Sequence, residues 1–137
     1  MTRHAHGLLD TSVVIGLERI RDASALPERP LISSITLAEL SVGPLVARGS
    51  ERAARMARLQ QVESDFEPLP FDAPAARAFG RVAASLRRAG RKPAARAYDA
   101  MIAAVALANG LPLYTRNPQD FAGIDGLEVL EVPLAEK

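Results

Sequence analysis

Residues 100–108 consist only of Ala, Met, Ile, Val and Leu, so a helix built from them has no polar face. Such a helix must be covered on most of its surface. The run is far below the roughly 18–20 residues that a membrane span needs, so the cover has to come from the rest of the chain. A helix that starts after Pro93 and stops at Asn109 and Gly110 is therefore expected at the centre of the fold, with the other elements wrapped around it.

The wrapping elements alternate. The short apolar run 7–10 reads as a buried strand, followed by Thr11 and Ser12 as helix-start residues and an apolar stretch from Val13 to Leu17. Pro27 and Pro30 bracket a loop, residues 31–34 form a second strand, and Thr36 opens a helix that ends near Gly43 and Pro44. Met56, Leu59 and Val62 give an amphipathic helix over 50–63, and Pro74 begins another that Gly90 closes. Residues 66–71 form a loop or short strand, and strands are expected at 113–115 and 127–132. Strands alternating with helices predict an α/β fold with a mainly parallel sheet sandwiched by helices. At 137 residues one domain, 1–137, is expected, with residues 1–6 as a flexible extension.

Composition removes several classes of function. The chain has no Cys, which excludes disulfides, thiolate zinc sites and a cysteine nucleophile. Aromatics are 4% with no Trp, too few for recognition of nucleic acid by rows of stacked bases. The apolar run after Gly7 is broken by Asp10, Thr11 and Ser12, so it is not a signal peptide. A cytoplasmic protein with no membrane association is expected. The net charge is only +1, but residues 73–98 contain no acid and seven cations: Arg77, Arg81, Arg87, Arg88, Arg91, Lys92 and Arg96. These form either a solvated face with a basic loop or a surface that contacts phosphates.

Asp99 directly follows that stretch and stands just ahead of the apolar helix. A carboxylate there is favoured by the helix dipole but is costly to desolvate without a cation or hydrogen-bond donors. Asp10 stands where a strand hands over to a helix, as a cap or as a ligand at a sheet edge. Glu39 lies three residues after Thr36, the spacing of a capping box. Each acid alone has a bland explanation, but in a parallel sheet all three can meet at one edge. Two carboxylates about 4 Å apart repel by roughly 4 kcal/mol at an effective dielectric of 20, and the sequence offers no buried Lys to cancel this. A hard divalent cation would, and the chemistry it implies is phosphodiester hydrolysis.

Four blocks, residues 8–12, 36–40 followed by Gly43, 98–104 and 115–121, occur in an order and spacing that resemble the PIN-domain ribonucleases, and within them the VapC toxins of bacterial toxin–antitoxin (VapBC) pairs. The resemblance runs along the whole chain. It implies a three-layer α/β/α sandwich, Mg2+ or Mn2+ dependence, endonucleolytic cleavage of structured RNA such as tRNA or rRNA, a cognate VapB-like antitoxin and a homodimer. By carry-over, Asp10 and Asp99 are metal ligands, and Glu39 is a ligand or the group that orients the attacking water. A further acid stands in many members near the end of the fourth strand. Asn117 aligns with it and Asp120 follows three residues later, so either residue completes the site. Thr11 or Ser12 would lend a hydroxyl to the metal's water shell. Arg96 and Arg116 either contact phosphate or pair with the acids. His4 and His6 precede the first strand and are not expected to bind metal.

Three rival readings follow from the same residues. An aspartyl phosphatase would need a second acid two residues after Asp10, where Ser12 stands. A response receiver would need an acidic pair at the first strand and a late Lys, which Lys137 at the terminus cannot supply. A PIN-like module that binds RNA or protein without cleaving it is the third, and the presence of all three central acids disfavours it.

Overall fold

The computed structural model describes residues 4–133. Met1, Thr2 and Arg3 of the expected extension, and Lys137, lie outside them. Four short strands, β1 (His6–Leu9), β2 (Arg29–Leu31), β3 (Leu113–Thr115) and β4 (Val129–Glu131), form one sheet in the order β2-β1-β3-β4 with every pairing parallel. Five helices accompany them: α1 (Thr11–Ile15), α2 (Ser34–Val46), α3 (Gly49–Asp65), α4 (Ala73–Arg88) and α5 (Ala97–Ala108).

The period-2 geometry of a strand divides the core. Leu8 and Leu113 face one side, where they pack with Ala75, Ala78 and Val82 of α4 and the buried residues of α5. Leu9 and Tyr114 face the other, against Val13 and Val14 of α1, Leu40 of α2 and Val62 of α3. The sheet is thus the middle of three layers. On its own face, α5 buries Ala100 and every residue from Ile102 to Ala106, as its uniformly apolar sequence requires. The close fit extends to the backbone. A Cβ on Gly7 would collide with the ring of Tyr114 and stand 3.0 Å from Pro27.

Several boundaries differ from the sequence expectation for identifiable reasons. β2 ends at Leu31 and includes Pro30, which is tolerated because this is an edge strand. The N-cap of α2 is Ser33, whose hydroxyl accepts from Thr36 N–H at 3.3 Å, so Thr36 is an interior residue of the helix and no Thr36–Glu39 capping box exists. Gly43 and Pro44 do not end α2, which continues to Val46. Pro44 removes its own N–H and crowds the preceding turn, and α2 is carried through it by packing on α3, where Arg55 donates to the Gly43 carbonyl at 3.3 Å. Pro93 opens a 3-10 turn, Pro93–Arg96, rather than α5 itself. The expected flexible extension is corrected at its inner end. His6 belongs to β1, and the His4 and Ala5 carbonyls accept from Glu28 and Arg29 N–H at 2.9 and 2.8 Å.

Candidate active site

The carboxyl ends of β1 and β3 lie side by side, and the loops that leave them supply the first half of the site. Asp10 follows β1 directly. It is the N-cap of α1, but its side chain makes no capping hydrogen bond. Instead Oδ2 accepts from the Ser12 hydroxyl at 2.8 Å and from the Thr115 hydroxyl, at the end of β3, at 2.9 Å. Those hydroxyls are themselves fixed, since Ser12 Oγ accepts from Arg116 N–H at 3.3 Å and Thr115 Oγ1 from Asn117 N–H at 3.0 Å. Asp10 is only 5% exposed. This carboxylate is immobilised on one oxygen by hydroxyls from α1 and β3, which is not what a simple cap would show.

Helix α2 contributes Glu39, whose Oε1 accepts from the Thr11 hydroxyl at 2.7 Å. Thr11 Oγ1 also lies 2.9 Å from Thr36 Oγ1. A hydroxyl has one proton, and that of Thr11 goes to Glu39, so Thr36 is the donor to Thr11. The three groups form a relay that runs from the buried interior of α2 to the site. Burial pushes the Glu39 carboxyl up, and the nearby Asp10 charge adds to this, while the Thr11 hydrogen bond opposes it.

Asp99 stands in the first turn of α5. Burial, then the charges of Asp10, Asp120 and Glu39, push its carboxyl up to about 6 against a smaller opposing effect of Arg96. Asp120 lies on a 3-10 turn, Pro118–Phe121, that follows β3. Arg96 joins the two acids, with Nη1 at 3.0 Å from Asp120 Oδ1 and 3.6 Å from Asp99 Oδ2. Arg96 thus ion-pairs with both acids. At Asp99 the Arg96 guanidinium opposes, without overcoming, burial and the charges of three other acids.

The remaining expected residues divide clearly. Asp120, rather than Asn117, faces Asp99; Asn117 is exposed and offers its backbone N–H to Thr115. Arg116 is exposed, and its backbone N–H, not its guanidinium, reaches the site. His4 pairs with Glu128 at 3.1 Å, and His6 starts β1, so both lie toward the amino ends of the strands, away from the acids. Sequence reasoning gave no role to Thr115 or to Thr36 as a hydroxyl donor. The signal for Thr115 was a buried Thr at the last position of a strand, ahead of a turn that has to be anchored.

All the donors are carboxylates, the hard-oxygen chemistry that suits Mg2+ or Mn2+. Among the described residues no three Asp, Glu or His side chains are grouped tightly enough to hold an ion by themselves. The cluster fits an ion taken by one or two carboxylates with waters completing the shell, as is characteristic of Mg2+.

Comparison with known proteins bears on this geometry. The PIN domain family matches residues 7–127. Ribonuclease VapC5 of Mycobacterium tuberculosis is 42% identical over 134 residues, 96% of each chain. Ribonuclease VapC4 of the same organism is 38% identical over 128 residues, 91% of this chain and 95% of that one. The crystal structure of VapBC-5, a member of the VapBC family of toxin–antitoxin systems from M. tuberculosis, aligns with a TM-score of 0.81 at 42% identity, over 93% of this chain and 99% of that chain.

Proposed function

The chain belongs to the PIN-domain family, and from that premise we propose that its four-carboxylate cluster is the active site of an endoribonuclease acting as the toxin of a toxin–antitoxin pair. The observation that carries this reading is Asp99, a carboxyl raised to about 6 by burial and by three other acids converging from different elements. A fold maintains such repulsion when the site has a cationic task, and phosphodiester hydrolysis is one.

Asp10 and Asp99 would hold Mg2+ or Mn2+, with Asp120 completing the acidic wall. When bound, the ion would acidify a water and neutralise charge that develops on the phosphate. The protein's own contribution is positional. Ser12 and Thr115 fix one oxygen of Asp10, which leaves its other oxygen for the ion's shell. Glu39, raised by burial, is a better proton acceptor than an ordinary carboxylate and is aimed by Thr11, so it suits the group that orients and deprotonates the attacking water. Arg96 tempers the repulsion between Asp99 and Asp120 and is placed to meet a phosphate oxygen.

Structured RNA such as tRNA or rRNA is the substrate we infer, with a VapB-like antitoxin as partner and a homodimer as the working state. Val42, Leu45 and Val46 of α2 and Met56 of α3 are exposed apolar residues that a second chain would cover. No helix among the described residues is long and apolar enough to cross a membrane; we infer that the chain acts as a single domain in the cytoplasm. The full set of four acids disfavours a module that binds without cleaving. The decisive experiment incubates end-labelled tRNA and rRNA with the purified protein, in Mg2+ or Mn2+ against EDTA, beside Asp99→Asn. Discrete metal-dependent products absent with the variant are expected. Intact RNA at low salt, with metal binding verified by calorimetry, would remove the nuclease reading.

A further inference from the structure

Next to the acids, on the side away from Glu39, a cavity of about 370 Å3 opens between the end of α4, the Pro93–Arg96 turn and the Pro118–Phe121 turn. Its apolar surface comes from Leu86, Ala100 and Ile124, and its cations from Lys92 and Arg96. Asp99 and Asp120 belong to its wall, so the cavity and the carboxylate cluster are continuous. Specific contacts join the surrounding segments at the rim of the cavity and fix its shape. Arg91 Nη1 donates to the Gln119 and Ala122 carbonyls at 3.0 and 2.7 Å, which ties the loop after α4 to the segment carrying Asp120. Gly123, at φ +88°, would bring a Cβ to 2.8 Å from Ala89, so the two segments already touch at one point. Between them Ala95 and Ala100 are too small to fill the space.

We propose that this cavity is a nucleoside subsite, in which one unpaired base and its ribose, adjacent to the cleaved phosphodiester, lodge against Leu86, Ala100 and Ile124 while Lys92 and Arg96 meet the flanking phosphates. The inference rests on the nuclease reading and adds a specificity determinant to it. Its volume is at the lower end of small-molecule sites, about 300–1,000 Å3, room for one nucleoside and no more. An apolar slot accepts the face of a base without the aromatic platforms that this chain lacks, and a base inside it must have left its helix. The cationic side of the cavity favours a polyanion over a peptide. The Lys92 ammonium makes no ion pair among the described residues, and residues 73–98 carry no acid.

The test uses the full chain in EDTA, with methyl NMR of Leu86, Ala95, Ala100 and Ile124. AMP, GMP, CMP and UMP are titrated beside ribose 5-phosphate and inorganic phosphate. At least one nucleotide should shift these methyls where the two base-free phosphates do not. Ala95→Phe, at an exposed position, should weaken that nucleotide on the order of tenfold or more with the melting temperature unchanged, and should alter which RNA bonds are cut. Ile124→Ala, which deepens the slot, should shift the preference toward larger bases. No methyl response up to nucleotide solubility, or the same response to ribose 5-phosphate, would overturn the subsite. RNA cleavage at unchanged bonds and rate by Ala95→Phe would remove the subsite and leave the nuclease standing. Nucleotide binding in the cavity with no RNA cut by the wild type would remove the nuclease and leave a binding pocket.

Discussion

Asp99 carries the clearest consequence of local environment. Its carboxyl is raised from an ordinary 3.8 to about 6 in the folded protein. A group that holds its proton more tightly when folded favours folding below its unfolded pKa, and that contribution is lost as pH rises through the folded one. The metal-free protein should therefore lose stability between about pH 4 and pH 7, with Glu39, also raised, adding to the fall. Asp99→Asn removes the ionising group, and we expect it to melt several degrees higher than wild type at pH 7.5, a gain on the order of 2 kcal/mol. At pH 4 that gain should vanish, and RNA cleavage should be lost at every pH; a urea titration at the two pH values, in EDTA, checks the first part. Thr115→Val keeps the volume but leaves Asp10 Oδ2 with one donor and Asn117 N–H with none. It should cost about 1–3 kcal/mol in chemical denaturation and lower cleavage at least tenfold, because the carboxylate is no longer fixed. The acids themselves were legible in the sequence because they stand at strand ends and helix starts. Thr115 and Thr36 were not, since a hydroxyl's role depends on which carboxylate it meets, and its partner lies 105 residues away in one case and reaches Glu39 through a second hydroxyl in the other.

The elements were readable wherever local chemistry acted alone. The apolar run of α5, the start of α4 around Pro74 and the alternating strand-and-helix order all follow from spacing. The errors came where tertiary contact overrode local propensity: Pro44 remains inside α2 because α3 supports that turn, and Pro30 joins a strand because that strand has a free edge. The cap of α2 was displaced from Thr36 to Ser33, since both are followed by helix-compatible residues and only the backbone geometry separates them. Ser33→Ala should therefore cost α2 its cap, about 1 kcal/mol, whereas Thr36→Ser should keep the hydroxyl relay and most of the activity. Gly7→Ala forces a methyl into the Tyr114 ring at the centre of the sheet. We expect it to destabilise by about 1–3 kcal/mol or more, seen as a lower denaturation midpoint with no change in the pH dependence set by Asp99.

At the scale of the whole molecule, a near-neutral net charge of +1 hides a strong division, an acidic cluster abutting a cationic stretch. Binding of RNA by the cations should weaken as salt rises, with a log–log slope set by the number of phosphates contacted. Millimolar Mn2+ should raise the melting temperature of the wild type at pH 7.5 and do so far less at pH 5, where Asp99 is protonated; equal shifts at both pH values would argue against the acids as its ligands. The sheet order has a further consequence. β1 is flanked by β2 and by β3, and the four acids stand at positions 10, 39, 99 and 120 of the chain. During translation, Asp10 therefore has no Thr115 to hold it until 105 further residues have been added, and no complete set of acids beside it until Asp120 follows. At about 5–20 residues per second, the ribosome spends several seconds on a chain that cannot yet cut the RNA around it, and the hazard appears only once Asp120 has been added.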